Sequence, residues 1–165
     1  MQQLALSRAD PRETDFDSLI EPHLEAGFRT ALAMLRDPDE ARDAVQEAAF
    51  KAWRRLGQLH ETVTARAWFL AIVANQCRSV RRGRWWSVLR LPQVGPALQE
   101  FPADTIDVGR ALAKLSPDDR LALFLHFYLD LPLEEVGAVL GLSRAGAKTR
   151  VYRAAKKLRP DLEMS

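Results

Sequence analysis

Leu133-Glu134-Glu135-Val136-Gly137-Ala138-Val139-Leu140-Gly141-Leu142-Ser143, continued by Arg144 through Arg159, is the stretch that decides the fold. It reads as a short amphipathic helix, a glycine turn and a longer second helix. Gly141 stands where the turn requires a positive φ, which glycine adopts without steric cost. Ser143 is placed to cap the second helix, its hydroxyl accepting from the first unpaired amides. From Arg144 to Arg159 there are seven basic residues and no acidic one. On a wheel of 3.6 residues per turn, Ala147, Val151, Ala154 and Leu158 form one narrow apolar stripe. Ala145, Lys148, Thr149, Tyr152, Arg153 and Lys156 fall opposite it. One face can pack while the other meets a polyanion, the division that a recognition helix in a DNA major groove requires. Basic residues near a helix C-terminus are also favoured by the helix dipole alone. The preceding helix and the glycine turn are what give this run its meaning. Gly137 and Gly146 fall in helix interiors, where each costs about 0.5–1 kcal/mol relative to alanine. They predict a loosened second half of the chain.

Reading toward the N-terminus, Ser116-Pro117-Asp118-Asp119 opens a helix with a cap, a first-turn proline and acids at the positive end. Leu121, Leu123, Phe124 and Phe127 are its apolar residues, and Asp130-Leu131-Pro132 separates it from the glycine-turn motif. A short helix starting near Asp104 closes with Leu112 and Leu115. Pro92, Gly95, Pro96 and Pro102 break any regular element over residues 87–103, which read as a flexible linker. Before it, a helix from about Thr64 to Arg82 has an apolar middle on all sides, Ala67-Trp68-Phe69-Leu70-Ala71-Ile72-Val73-Ala74, as a buried helix does. Asp37-Pro38-Asp39 starts another, which runs to about Leu56 and stops at Gly57. From Asp15 apolar residues recur at spacings of three and four, interrupted by Pro22. Residues 1–14 are polar and read as a mobile tail. No segment alternates as a strand does. The fold class is therefore all-α: two small helical domains, 15–86 and 104–165, joined by the linker, the second ending in a helix–turn–helix.

A chain of 165 residues accommodates one medium or two small domains. The net charge of +2 is the residue of 24 cations against 22 anions, and these are segregated. Asp37 to Glu47 holds five acids and one Arg, while Arg78 to Arg90 holds five Arg and no acid. Separate patches of opposite sign imply two kinds of partner. Cys77 is the one cysteine and reads as a small packing residue. His23, His60 and His126 have no metal-site spacing. No apolar run reaches the roughly 20 residues needed to span a bilayer, so no membrane insertion is expected. The first residues show no signal-peptide pattern, which points to the cytoplasm.

The segregated patches carry the second reading. Ala41, Val45, Ala48, Ala49, Ala52 and Leu56 share one stripe, whereas Asp43, Gln46, Glu47 and Phe50 fall on another face. An aromatic side chain off the packing stripe, ringed by carboxylates and an amide, has the character of a protein-binding patch. Phe50 could instead pack on a neighbouring helix, and periodicity alone leaves both readings open. Further on, Asn75-Gln76-Cys77-Arg78-Ser79-Val80-Arg81-Arg82-Gly83-Arg84 is followed by Trp85-Trp86. Arginines meet phosphates and aromatic faces stack on unpaired bases, a combination suited to melted DNA. The tryptophans could equally pack beneath the linker.

Together these blocks resemble the extracytoplasmic-function, or group four, sigma factors of bacterial RNA polymerase. Asp39 to Arg54 and Ala67 to Arg78 resemble region two, and Leu115 to Leu158 resembles region four. The resemblance implies core polymerase as partner, its clamp helices meeting Asp43, Gln46, Glu47 and Phe50. It implies that Asn75, Arg78, Arg81, Arg82 and Arg84, with the loop from Gly57 to Thr64, open and read the minus-ten element. Arg144, Ala145, Lys148, Thr149, Arg153 and Lys156 would meet the duplex minus-thirty-five element. Region four would also hold the polymerase flap, and an anti-sigma factor becomes a candidate partner. Two positions depart from the family's habit: Ala145-Gly146-Ala147 replaces Gly-Thr-Val before Lys148, and Gly137 replaces Ala.

The expected function is promoter recognition and transcription initiation in the nucleoid. The alternative is a helix–turn–helix regulator that binds operator DNA without polymerase, which leaves the Phe50 face and the Arg–Trp block unused. An interaction adaptor without DNA contact leaves the arginine blocks unused. A small helical enzyme would need a His, Lys or Cys beside the carboxylates of residues 39–47, or a motif such as His-Glu-x-x-His, and the sequence offers neither. No catalytic residue, metal or cofactor is expected.

Overall fold

The computed structural model describes residues 10–59, 63–88 and 110–163. Every regular element among them is helical. Helix α1 spans Pro11–Leu19, with the Asp10 carboxylate accepting from the Arg12 amide and proline in the first turn. The tail expected over residues 1–14 therefore gives way at Pro11, because an Asp-Pro start overrides the polarity of the segment. A 3₁₀ turn, Glu21–His23, absorbs Pro22, and α2 follows as Leu24–Leu35. Helix α3, Pro38–Arg54, starts as the sequence predicts: Asp37 accepts from the Asp39 and Glu40 amides at 2.9 and 3.0 Å.

Helix α4, Ala65–Val88, runs six residues past its expected end at Arg82. Gly83 does not stop it, since glycine inside a helix weakens but does not break the hydrogen-bond ladder. Residues 87 and 88 of the expected linker thus finish α4, and 89–103 lie outside the described residues. Residues 110–113 are helical, and α5 spans Pro117–Leu123, capped by the Ser116 hydroxyl. The chain then makes a π-helical turn, Phe124–Tyr128, closed by a bond from the Leu129 amide to the Phe124 carbonyl. Helices α6, Leu133–Leu140, and α7, Arg144–Glu163, complete the glycine-turn motif.

Helices α2, α3 and α4 pack on one another, and α5, α6 and α7 form a second group. On α3 the contact surface is alanine, with Ala41, Ala44, Ala48 and Ala52 buried, so the backbones approach closely around Phe69, Leu70 and Val73 of α4. In the second group Leu121, Leu125, Val136, Val151 and Ala154 are buried. The two cores are continuous. Helix α4 also lies against α6, and Arg66 pairs with Glu135 across that contact at 2.8 Å. Two helical units joined by a breaker-rich segment are therefore docked on each other, an arrangement periodicity cannot specify. Burying one large apolar side chain is worth roughly 1.5–3 kcal/mol, against at most about 1 kcal/mol for an exposed ion pair. The apolar cluster holds the units together and the ion pairs set their orientation.

Candidate polymerase and nucleic-acid interfaces

Helix α3 presents the acidic–aromatic patch as a free face. Asp43, Gln46 and Glu47 are exposed, and Phe50 is 53% exposed although its neighbours Ala48 and Ala52 are fully buried. The packing alternative for Phe50 does not hold. Its ring is covered only in part by the Arg54 guanidinium, 5.6 Å from the centroid. An exposed aromatic ring beside carboxylates gains most by burial against a partner that brings cations to its rim.

Helix α7 presents a second free face. Gly141 takes φ +71°, as the turn requires, and Ser143 Oγ accepts from the Gly146 amide at 3.1 Å. Ala147, Val151 and Ala154 are buried, while Arg144, Ala145, Lys148, Thr149, Tyr152, Arg153 and Lys156 are all exposed. Arg144 donates to Glu134 on α6 at 2.7 Å, and Thr149 bonds back to the Ala145 carbonyl. Gly137 departs from its expected role as a loosening residue. A Cβ there would stand 2.5 Å from the Leu142 carbonyl oxygen, whose residue's amide bonds Gly137 O at 2.8 Å. The glycine lets the turn fold back against α6 and so locks α7 in place.

The expected minus-ten residues on α4 are placed differently. Asn75 and Arg82 are exposed, but Asn75 Oδ1 accepts from Arg78 at 2.9 Å and Arg82 donates to Ser79. Arg78 also reaches across the docked units to Asp118 at the start of α5, at 3.3 Å. Arg81 is turned inward, its Nε and Nη2 both donating to the Met34 carbonyl, at 3.3 and 2.9 Å. That carbonyl belongs to the last turn of α2, which has no partner within its own helix. Burial pushes the Arg81 guanidinium below its ordinary value, offset in part by Cys77 and Asp118 and reinforced by Arg78. Arg84 lies on the α4 backbone, with its side chain outside the described residues, as are those of Trp85 and Trp86 and residues 60–62 of the preceding loop. Lys51, Arg55, Asn75, Gln76, Arg78 and Arg82 surround a cavity of about 230 Å³, polar and cationic in its lining.

The sequence reading missed one surface. Phe127, one of the apolar residues read for this helix, is 59% exposed, and Tyr128 is 58% exposed. The π-turn adds a residue to the turn and rotates both out of the core phase. They line an apolar groove of about 740 Å³ with Leu112, Leu123, Phe124 and Leu158. The run of aromatics was the available signal, but a π-turn has no periodicity of its own to announce it.

An all-helical chain with a basic recognition helix, a second cationic helix and a separate acidic–aromatic patch is a DNA-binding protein with a further, protein partner. Comparison with known proteins gives the class its family. The description "Sigma-70 region 2" matches residues 19–87 and "Sigma-70, region 4" matches residues 106–158. RNA polymerase sigma factor SigV of Bacillus subtilis is 28% identical over 147 residues, covering 87% of this chain and 88% of its own length. ECF RNA polymerase sigma factor SigL of Mycobacterium tuberculosis is 28% identical, covering 88% of each. The sigma factor RpoE of Bartonella quintana, crystallised in complex with the anti-sigma factor NepR, is 27% identical with a TM-score of 0.73, covering 91% of this chain and 98% of that one. The chain belongs to the sigma-70 family, in its extracytoplasmic-function group. It is an RNA polymerase sigma factor: it binds core polymerase, recognises minus-thirty-five and minus-ten promoter elements and promotes initiation. An operator-binding regulator needs no region two, so that alternative is not favoured. Among the described residues no helix is long and apolar enough to cross a membrane.

Proposed function

We propose that three faces divide the work of this sigma factor. The α3 face of Asp43, Gln46, Glu47 and Phe50 takes the polymerase clamp helices. The α7 face of Arg144, Ala145, Lys148, Thr149, Arg153 and Lys156 takes the minus-thirty-five duplex. The α4 residues Asn75, Arg78, Arg81, Arg82 and Arg84 serve the melted minus-ten strand, with Arg81 acting from within by fixing α4 on α2. The carrying observation is that Phe50 is half-exposed on a helix whose Ala41, Ala44, Ala48 and Ala52 are buried. The functional units are residues 15–86 and 104–165, with 87–103 as linker and the flap held by the second unit. The protein acts in the cytoplasm, on the nucleoid, and performs no catalysis of its own. An anti-sigma factor is a further proposed partner, by likeness to the Bartonella relative.

The test is a fluorescence titration of core polymerase. Phe50→Ala weakens binding by about 2 kcal/mol, roughly 30-fold, with helicity intact. Charge reversal of Asp43 with Glu47 weakens it in the same direction and makes it less salt-sensitive. Wild-type affinity in both variants removes the α3 assignment.

A further inference from the structure

Arg78 makes two contacts, and they belong to different parts of the molecule. Within α4 it donates to Asn75 Oδ1 at 2.9 Å. Across the docked units it donates to Asp118 Oδ1 at 3.3 Å. Asp118 sits in the first turn of α5, and its other oxygen lies 3.9 Å from Arg150 of α7. The next residue, Asp119, is buried and pairs with Lys157 of α7 at 3.0 Å and with Arg150 at 3.7 Å. The start of α5 is thus fixed to α7 by two carboxylates, and it offers one of their oxygens to region two.

The surroundings make that offer consequential. Arg78 bears on its α4 neighbour Arg81, and Arg81 and Arg36 both bear on Arg120 of α5. Arg120 Nε is buried with no hydrogen-bond partner among the described residues. Like charges gathered at one junction repel unless an anion lies among them. In the docked chain Asp118 is the carboxylate that reaches Arg78. A nucleic-acid phosphate presents the same chemistry, an anionic oxygen for a guanidinium. Carboxylate and phosphate cannot occupy the same guanidinium edge together.

We propose that Asp118 is an autoinhibitory contact, a carboxylate that holds Arg78 in place of a DNA phosphate and keeps this face of α4 closed to the melted strand while the two units are docked. The inference rests on Arg78 as a minus-ten contact, and it deepens that reading by giving the site a switch. The face opens when the units separate or when the Asp118 pair is broken. On the recognition face of α7 Arg144 is held by Glu134 of its own unit, and among the described residues no carboxylate of the other unit reaches that face, so the duplex element is engaged first and the single strand later.

The experiment measures binding of the full chain to a fluorescein-labelled single-stranded DNA 20-mer of random sequence, by anisotropy. Asp118→Asn keeps the shape of the side chain and removes its charge. Affinity rises roughly three- to tenfold, because apparent affinity scales with the fraction of chains whose site is available. Asp130→Asn makes the same change of charge outside the contact, at a residue with φ 54° that Asn tolerates; it gives less than about a twofold change. Adding Arg78→Ala to Asp118→Asn abolishes the gain. Glu135→Gln, which weakens the cross-unit pairing with Arg66, shifts affinity in the same direction and keeps the question answerable if Asp118→Asn fails to fold. Equal gains from Asp118→Asn and Asp130→Asn overturn the proposal, as does a gain that survives Arg78→Ala. The core-polymerase titration tests the sigma-factor reading independently, so failure of the contact and failure of the function are separable.

Discussion

The two helices proposed to meet DNA differ in what their cations touch. On α7 the residues opposite the apolar stripe are exposed, and the one tied by an ion pair, Arg144, is held within its own unit by Glu134. On α4 Arg78 is engaged across the docked units and Arg81 is spent on the end of α2. The cause lies in how each helix is held. Helix α7 is anchored on one side by small apolar residues and a tight glycine turn, which leaves its far side to solvent. Helix α4 is apolar over most of its circumference and is packed against α2, α3 and α6, so its arginines emerge at the margins of other helices. In the proposed division of roles, a duplex reader is in this way permanently presented, and a single-strand reader is conditionally so.

The strongest test of the anchoring half of this contrast is Gly137→Ala. A methyl group 2.5 Å from the Leu142 carbonyl oxygen forces backbone apart, and overpacking of this kind costs typically about 1–3 kcal/mol. Urea unfolding of the full chain reads the loss. A stability equal to wild type shows that α6 and the turn are not locked, and the contrast with α4 loses its basis.

Next in size is the pair Arg81→Ala and Lys148→Ala. Removing Arg81 leaves the Met34 carbonyl without its charged donor, a loss of about 1–2 kcal/mol in unfolding free energy. Lys148 is exposed, so its removal stays within about 0.5 kcal/mol. In duplex binding the order reverses. Lys148→Ala flattens the salt dependence by roughly one unit of log–log slope, one phosphate contact, and Arg81→Ala leaves it unchanged. Two variants with the same profile in both measurements erase the difference between the helices.

A smaller effect is expected at Gly146. A Cβ there meets Ser143 Oγ at 3.3 Å and Leu142 Cβ at 3.5 Å, contacts that a small rotation of the serine relieves. Gly146→Ala raises stability by up to about 0.5 kcal/mol through the entropy of the unfolded chain. A loss instead identifies the Ser143 cap as too rigid to yield.

The smallest effect is the pH response of the docked contact. Burial pushes the His23 imidazole below its ordinary value of 6.5, Arg66 adds to the depression and Glu135 opposes it. The unfolded chain therefore binds the proton more readily than the folded one. This contribution is fully present above pH 6.5 and is lost as pH falls toward the lowered folded value. Between about pH 7.5 and pH 5.5 the wild type loses slightly more of its urea midpoint than His23→Gln. Equal losses mean that His23 is solvated and takes no part in the contact.

What the sequence determined by itself was everything that rests on local chemistry. The Asp-Pro and Ser-Pro caps, the positive φ at Gly141, the stripe of Ala147, Val151 and Ala154, and the placement of Phe50 off the packing stripe follow from residue type and a period of 3.6, whereas the exposure of Phe50 was settled only by the packing of α3. So did the class of function, because acidic–aromatic, arginine-rich and helix–turn–helix blocks in that order are legible without coordinates. Only tertiary structure decided the rest. The requirement for Gly137 depends on a carbonyl that reaches it from the following turn. The outward swing of Phe127 depends on one extra residue in a π-turn, which leaves the same letters in the same order. The capture of Arg78 by Asp118 joins residues 40 positions apart, and no periodicity carries the meeting of two helices across a linker. An arginine in a basic run looks alike whether it faces DNA, a carbonyl or a carboxylate. Its partner is fixed by which surfaces the cores bring together, and that is set by burial of apolar side chains far from the arginine itself.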